Sequence, residues 1–390
     1  MRSCSVEERR HRLARRHFLS EAADDGVVEL THRLVGLHAT DPATPYLSLW
    51  ARLAGFGVAD LETALYADRA VVKQLAMRRT LWVFDARDVP AVQAAASTRV
   101  ADNERRKLIA DVVTAGIASD GETWLNEAAE AVLAHVTEHG HASARELRSA
   151  LPQLAGAYDP APGKPWGGAT PIAPRVLTAL AAQGLLVRGP NEGTWTTSRP
   201  RWVAATHWLG AGTTAVDHDA ARAALVTTWL RTFGPATVND VKWWFGHTLT
   251  WARAALRDVG AVEVDMDGTT GYLLPDDLDV EPKAEPWCAL LPGLDVTTMG
   301  WQDRDWYLGG HQGKVFDRSG NGGPTAWCDG RIVGGWGQDA DGRVVVQLLE
   351  QLDAKSAKAL ARKADQLTEW LDGVRVNARF PSPLAKVPLG

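Results

Sequence analysis

The chain has 390 residues, of which 45% are hydrophobic and 23% are charged, a balance typical of folded globular proteins. This length indicates about two to four domains, each with its own hydrophobic core. The formal net charge is −5, which argues against wholesale coating of nucleic acid and leaves room only for a local basic face. No stretch approaches the roughly 18 consecutive apolar residues that a membrane span needs, so we expect no membrane partner.

The start of the chain and its cysteines indicate a cytoplasmic location. The segment MRSCSVEERRHRLARRHFL is basic but contains no apolar core, so it does not resemble a secretory signal. Cys4, Cys288 and Cys328 are far apart in the sequence and form no CxxC pair. We therefore expect a reducing environment, no structural disulfide and no structural zinc.

The first third of the chain combines helical patterns with one strand. Apolar spacing predicts helices over 27–37, 46–54 and 58–74, and the run MRRTLWVF predicts a strand over 77–84. Three helices followed by a strand are compatible with a winged-helix unit. The next two segments of the chain show this plan more clearly.

A weak internal repeat covers the middle of the chain. HGHASARELRSAL, near residue 140, aligns with FGPATVNDVKWWF, near residue 234. Each copy contains a glycine that ends a helix, then a Ser or Thr N-cap with an acidic residue three positions later. A further helix follows each copy, over 170–183 and 248–257, and then a hairpin pattern over 184–195 and 260–272. Helix, short helix, helix and hairpin are typical of a winged helix, so the sequence predicts three such units.

The last quarter of the chain has a different sequence pattern. Short apolar runs separated by glycines over 287–346 predict a small barrel or curled sheet. An amphipathic helix over 353–371 follows, and then an extended piece over 374–384 that is predicted to be a strand returning to the sheet. The predicted fold class is α+β, with winged-helix domains over 1–115, 116–212 and 213–282 and a β-barrel-like domain over 283–390.

Three segments carry a resemblance to a known family. They are LVGLHATDPATPYLSLWAR, then MRRTLWVF, and finally LLPGLDVTTMGWQDRDWYLGG with FDRSGNGGPTAWCDGRIVGGW. In order and spacing they resemble the bacterial winged-helix DNA glycosylase family typified by AlkZ and YcaQ, across essentially the whole chain. The resemblance implies three winged-helix domains and a β-barrel that form a concave DNA-binding body. It also implies hydrolysis of the N-glycosidic bond of alkylated bases, including bulky adducts.

The chain departs from this family at the active-site triplet. The family pattern is Gln-hydrophobic-Gln or Gln-hydrophobic-Asp, and the corresponding residues here are His38, Ala39 and Thr40. An N7-alkylated guanine already carries positive charge and leaves easily, so the enzyme must mainly orient a water and stabilise a cationic sugar. His38 has a suitable unperturbed pKa for a general base, Thr40 has a hydroxyl to hold the water, and the Asp41 carboxylate would favour the cation.

These three residues also have a purely structural interpretation. His38 would then be a histidine at the end of a helix, near the negative end of the helix dipole, and Thr40-Asp41-Pro42 would start a turn. With the resemblance taken into account, the predicted catalytic residues are His38, Thr40 and Asp41.

The candidate DNA contacts are basic or aromatic residues spread over the predicted units. A basic run in the first helix is explained equally well by a solvated helix face and by phosphate contact. Residues 78 and 79 lie where the first wing is expected, and residues 253 and 257 share one side of a helix. Residues 164 and 166 lie in a Gly- and Pro-rich loop that either lines the lesion pocket or only connects two elements. The predicted DNA-binding residues are Arg15, Arg16, Arg78, Arg79, Lys164, Trp166, Arg253 and Arg257.

No metal or cofactor is expected. His135 and His139 lie one helical turn apart, with His141 nearby, but there is no HExxH motif and no cysteine partner. Phosphate-binding GxGxxG and GxxxxGK[ST] patterns do not occur.

The leading hypothesis is a monofunctional DNA glycosylase that removes bulky N7-alkylguanine adducts, in the service of self-resistance to a DNA-alkylating natural product. The lysine nearest to the triplet is Lys73, which argues against a Schiff-base lyase step. The expected partner is double-stranded DNA that carries an alkylated guanine, bound by a monomer. The alternative is a non-catalytic winged-helix DNA-binding protein, a regulator or a lesion shield, since the loss of both glutamines also suits an inactive enzyme.

Overall fold

The computed structural model describes residues 2–165, 167–210 and 216–387. The chain divides into two compact units, one formed by Met1–Leu61 with Arg222–Gly390 and the other by Glu62–Ala221. The bounds of the four predicted domains stay a prediction. Within the described ranges, no helix is both long enough and apolar enough to cross a membrane.

The N-terminal part of the first unit is mainly helical. Ser5 accepts a hydrogen bond from the Glu8 backbone N–H and so begins the first helix. The helix predicted over 27–37 ends early, because Val35 and Gly36 both adopt positive φ angles and turn the chain into a short extended piece. The helices are Val6–Arg16, Gly26–Arg33, Thr44–Trp50 and Val58–Glu62, and the strands are Arg2–Ser3 and Leu37–His38.

The second unit opens with an antiparallel hairpin. Its strands pair from Val71 opposite Asp85 to Ala76 opposite Thr80. The helix predicted over 58–74 was therefore wrong in its last third, where β-branched Val71 and Val72 favour a strand. The helices are Val89–Val92, Thr98–Thr114, Gly121–His139, Ala144–Ala150, Ala173–Ala182 and Ala205–Leu209, with π turns at Thr63–Ala67 and Gln93–Ser97 and 3-10 turns at Met77–Arg79 and Pro152–Leu154.

The first repeat copy lies in this unit and has the predicted cap. Ser143 and Glu146 form a reciprocal capping box at the start of a short helix, as the sequence indicates. The hairpin that follows is wider than predicted, because the returning strand starts at Pro200 and not within 184–195. The strands of this unit are Val71–Ala76, Thr80–Asp85, Ala157–Tyr158, Thr170–Pro171, Leu186–Asn191 and Pro200–Ala204.

The second repeat copy matches its prediction closely. Thr237 and Asp240 form the capping box, and Asp267 and Gly268 form the turn of the hairpin. The N-terminal strand adds to this hairpin in parallel, with Arg2 opposite Val264. The helices are His218–Phe233, Val238–Phe245 and Leu249–Asp258, and the strands are Val262–Met266 and Thr269–Leu273.

The C-terminal sheet is an open antiparallel meander. Its strands Cys288–Leu291, Thr325–Cys328, Arg331–Gln338 and Val344–Leu348 pair in chain order, so the described residues form no closed barrel. Of the two predicted forms, a small barrel or a curled sheet, the described strands form the open sheet, and the helix Ala354–Leu371 contacts both of its edge strands. Short helices at Asp305–Leu308 and Gln312–Val315, with 3-10 turns at Gly309–His311 and Leu384–Lys386, complete the unit.

Two further predictions for this region were also wrong. The last extended piece forms no strand, since Pro381 and Pro383 have no N–H to donate to a ladder. Cys288 and Cys328 are joined by a disulfide, although the sequence predicts none. They stand directly opposite each other on neighbouring strands with Cα atoms 4.3 Å apart, a proximity that the long sequence separation hides.

Candidate active site

The triplet lies in an extended loop just after the second helix. The backbone N–H of Thr40 donates to Nδ1 of His38 across 3.4 Å. The His38 side chain is only 3% exposed, Ala39 is also buried, and Thr40 is partly exposed. Of the three triplet residues, Thr40 alone reaches the surface.

Asp41 is held by backbone donors on both of its oxygens. Oδ1 accepts from the Ala43 N–H at 3.2 Å, and Oδ2 accepts from the Arg379 N–H at 2.8 Å. The Arg379 guanidinium also donates to the carbonyl oxygen of Thr40 at 3.2 Å. Burial raises the pKa of Asp41 above its usual range, and the two N–H donors oppose that rise.

Arg379 is the residue that sequence reasoning missed. It lies 338 positions after Asp41 and belongs to no motif, so no local signal identifies it. Its segment is fixed in turn by Gln338, which accepts from the Val376 N–H at 2.8 Å and donates to the Val374 carbonyl at 3.0 Å. The C-terminal segment thus clamps the loop that carries the triplet.

A cavity of about 330 Å³ opens beside Asp41. The start of the third helix forms one wall, the strand around Trp336 and Gln338 forms another, and the C-terminal segment with Arg375 and Asn377 forms the third. His38 and Thr40 do not line it. Its size and its mixture of aromatic, amide and cationic groups suit a small molecule with both apolar and polar groups.

A buried ion pair ties the end of the third helix to the LLPGLD segment. Arg52 and Asp295 are both 0% exposed and lie 2.7 Å apart. Ser48 donates to Asp295 at 2.6 Å, and Arg52 donates to the carbonyl of His17 at 3.0 Å. Although burial opposes it, the charge of Arg52 holds the pKa of Asp295 below its usual range. Two of the segments that carry the family resemblance therefore meet in one structural core.

His17 is enclosed in the same core. Its Nδ1 lies 2.7 Å from the Thr297 hydroxyl, and its ring stacks on Trp301 and meets the edge of Phe233. Burial, reinforced by the neighbouring charge of Arg52, lowers the pKa of His17 to about 3. The imidazole is therefore neutral in the folded protein.

The predicted basic contacts of the first helix differ in their availability. The Arg16 guanidinium bonds to the carboxylates of Asp277 and Glu281 at 2.7 to 3.0 Å. Arg15 lies 3.5 Å from Glu281 and keeps much of its side chain exposed. Arg16 is therefore occupied by ion pairs within the protein, whereas the charge of Arg15 is exposed to solvent.

The hairpin tip of the second unit carries Arg78 and Arg79, both with positive φ angles of 54° and 62°. Such angles cost a non-glycine residue roughly 1–2 kcal/mol each. Arg79 forms a bidentate pair with Glu104 at 2.5 and 2.9 Å while 53% of its side chain stays exposed. Glu104 also bonds to Arg175 at 2.7 Å, so the tip is anchored to a helix of the same unit.

The remaining predicted contacts are scattered. Lys164 is exposed in its loop, and Trp166 lies outside the described residues. Arg253 and Arg257 are both exposed on the same helix, as their spacing predicts.

The three histidines considered for a metal all have protein contacts. The rings of His135 and His139 stack at 4.2 Å, and His141 accepts from Arg201 at 2.8 Å. His139 also bonds through Nδ1 to the carbonyl oxygen of His135 at 2.9 Å. Local packing accounts for these rings.

Comparison with known proteins identifies the scaffold. No curated protein matches the chain. The structure is similar to the Streptomyces sahachiroi DNA glycosylase AlkZ, with a TM-score of 0.75 and 21% identity over 98% of this chain and 99% of that one. At this identity the likeness shows the fold. A family model described as DNA glycosylase AlkZ-like matches residues 31–370, a range that contains the triplet and the C-terminal sheet. The chain belongs to the AlkZ-like DNA glycosylase family.

Proposed function

We propose that this protein is a monofunctional DNA glycosylase that hydrolyses the N-glycosidic bond of bulky N7-alkylguanine adducts in double-stranded DNA. The observation that carries the proposal is the family match over 31–370, which supports DNA glycosylase activity. The fold likeness to AlkZ over nearly all of both chains is consistent with it. In this reading the three winged-helix domains predicted over 1–115, 116–212 and 213–282 form the DNA-binding body.

The geometry favours a water-orienting role for His38 over that of a general base. When Nδ1 accepts the Thr40 N–H, the neutral ring carries its proton on Nε2. A nitrogen that already carries its proton can donate a hydrogen bond, but it cannot take up a proton. Because a cationic N7-alkylguanine needs little acid assistance, orientation of water by His38 and the Thr40 hydroxyl is sufficient chemistry.

Asp41 has a supporting part in this scheme. Its carboxylate is buried and held by Ala43 and Arg379, so it is fixed in position rather than free to move onto the substrate. A fixed negative charge beside the triplet favours a cationic sugar electrostatically. Asp41 thus positions the loop and contributes a favourable electrostatic field, while His38 and Thr40 hold the water.

Exposed basic side chains supply phosphate contacts in this proposal. Arg15, Arg253, Arg257 and Lys164 are exposed, and Arg79 keeps half of its side chain exposed despite its ion pair. The partner is duplex DNA, bound by a monomer in the cytoplasm. Self-resistance to a DNA-alkylating natural product is the biological setting that we propose.

The decisive assay uses duplexes that carry defined N7-guanine adducts, one bulky and one small. Purified protein is incubated with each duplex, and heat or alkali then converts abasic sites into strand breaks. We expect breaks with the bulky adduct. The absence of breaks with any adduct, from protein shown to be folded by circular dichroism, would refute the enzyme.

Substitution of His38 tests the water-orienting role. His38→Gln keeps a side-chain donor and restores the amide of the family pattern, so it should retain excision within about tenfold, whereas His38→Ala should lose roughly 100-fold. If His38 were a general base, both substitutions would remove it and would lower the excision rate equally. Equal losses in the two variants would therefore reject orientation by donation.

The burial of His38 also favours a second candidate, a non-catalytic DNA-binding protein. An imidazole that is 3% exposed, at a position where the family pattern has glutamine, is compatible with a lesion shield or a regulator. A footprint on undamaged DNA with strong sequence preference, without any abasic product, would favour this candidate.

A further inference from the structure

A second cavity, of about 210 Å³, lies at the disulfide of the first unit. Cys288 is partly buried and lines this cavity, and its Sγ lies 3.8 Å from the carbonyl oxygen of Ser356. Cys328, the other half of the disulfide, is 4% exposed and does not line it. Of the two cysteines, Cys288 is therefore the one that borders this cavity.

The walls of this cavity are predominantly cationic. Lys355, Arg362 and Lys363 line it from the C-terminal helix, against the single carboxylate of Asp329. Burial and the neighbouring charge of Arg362 lower the pKa of Lys363, as expected where cations crowd together. The Asp329 side chain is already engaged, since it accepts from the Trp287 N–H at 2.9 Å. The cavity therefore attracts small anions.

At this cavity the disulfide supplies a thiolate leaving group, and the cationic side chains attract an anionic thiol that can act as the nucleophile. We propose that Cys288 is a thiol–disulfide exchange site for small anionic thiols, those that carry carboxylates. The entering thiolate forms a bond to Cys288 Sγ, the bond between Cys288 and Cys328 breaks, and its electron pair leaves on Cys328 Sγ, which takes a proton from water. The entering thiol is oxidised to a mixed disulfide and Cys328 is reduced, so the exchange needs no further oxidant.

Exchange at this pair of cysteines would change the packing of the C-terminal sheet. Cys288 and Cys328 link the first two strands of the C-terminal sheet, and the C-terminal helix packs on the first of them. A mixed disulfide places a bulky anion between that strand and the helix. Reversal is built in, because the released Cys328 lies directly opposite Cys288 and can displace the small thiol again.

The first test uses the full chain purified without reductant. Its intact mass should be lower by two hydrogen atoms than that of the reduced chain, and reduced glutathione should give a mixed disulfide that peptide mapping places on Cys288. Cys4 is fully buried and serves as an internal control that should stay unmodified. Two free thiols at 288 and 328 in the purified chain, or a first adduct on Cys328, would overturn the proposal.

The second test isolates the charge. In Cys328→Ser the thiol of Cys288 reacts with glutathione disulfide, which is anionic, or with cystamine, which is cationic. Peptide mapping follows Cys288 alone, so that Cys4 is not counted, and each rate is divided by that of Cys288 in the same variant unfolded in urea. The anionic reagent should be favoured about tenfold at low salt, and the preference should fade at about 1 M salt. Adding Arg362→Gln should reduce the preference about threefold, and Lys358→Gln, on the same helix but outside the cavity, should leave it unchanged. Equal rates for the two reagents at low salt, or equal effects of the two charge variants, would reject the site.

Discussion

The buried imidazole of His17 should make the stability of this protein depend on pH in a specific window. Its pKa falls from an ordinary value of 6.5 to about 3 on folding, because the ring is sealed among aromatic rings beside Arg52. Between these two pH values the unfolded chain binds a proton that the folded chain refuses. Protonation therefore favours unfolding, so the free energy of unfolding is highest above pH 6.5 and falls as the pH drops toward 3.

The size of this effect follows from the linkage relation. At pH 4.5 the pH lies two units below the unfolded pKa of 6.5, and each unit contributes about 1.36 kcal/mol, so the loss is about 2.7 kcal/mol relative to neutral pH. Measurement above pH 4.5 avoids most of the carboxylate titration. Asp41, whose pKa is raised by burial, acts in the opposite direction: its carboxylate binds a proton more readily in the folded than in the unfolded chain, which offsets part of the loss.

Urea unfolding at a series of pH values, compared between the native chain and His17→Gln, measures the effect. Glutamine does not titrate and can still bond to the Thr297 hydroxyl, so the variant should be less stable at neutral pH but should lose the His17 slope. The contribution of Asp41 is common to both chains and cancels in the difference. Parallel pH profiles of the two chains between pH 6.5 and 4.5 would show that His17 is not the group responsible.

Other parts of the site lead to three more predictions. Arg52→Met leaves Asp295 buried without its cation, and urea unfolding should show a loss of about 3–5 kcal/mol; a loss below 1 kcal/mol would mean that the pair is dispensable. Arg379→Pro removes the N–H that holds the carboxylate of the triplet loop, so adduct excision should fall at least about tenfold, whereas Arg379→Ala should cost less because it keeps that N–H; the reverse order would assign the clamp to the guanidinium. Arg253→Gln and Arg257→Gln should each reduce the slope of log affinity against log salt by about one for duplex DNA, and unchanged slopes would place this helix away from the phosphates.

The sequence predicted best those elements that short-range chemistry specifies. Ser143 and Thr237 each cap a helix three residues before an acidic partner, which is the spacing of the capping box. The turn at Asp267-Gly268 closes its hairpin in register. The helix predicted over 58–74 was wrong for residues 71–74, which follow a helical pattern but pair with residues 82–85 as a strand. Local sequence patterns do not identify the strand with which a segment pairs.

The same limit applies to the candidate site. The triplet could be located by its place in the family pattern, but its burial depends on packing that no single segment encodes. Arg379 and the Cys288–Cys328 pair involve contacts across long stretches of chain, between residues without any motif. A clamp made by a backbone N–H has no side-chain signal at all, since any residue but proline could supply it.

The location of the ion pair explains how the scaffold can persist while the triplet differs. Asp295 belongs to the LLPGLD segment and Arg52 ends the LHATDPATPYLSLWAR segment, and each needs the other because either charge alone would be buried without compensation. The ion pair gives both segments a role in folding that does not depend on what the protein hydrolyses. The triplet between Leu37 and Asp41 contains neither member of this pair, and Asp41 and the backbone help to hold its loop. Substitution at residues 38 and 40 therefore leaves the ion pair intact, and we expect differences in chemistry between such enzymes to concentrate there.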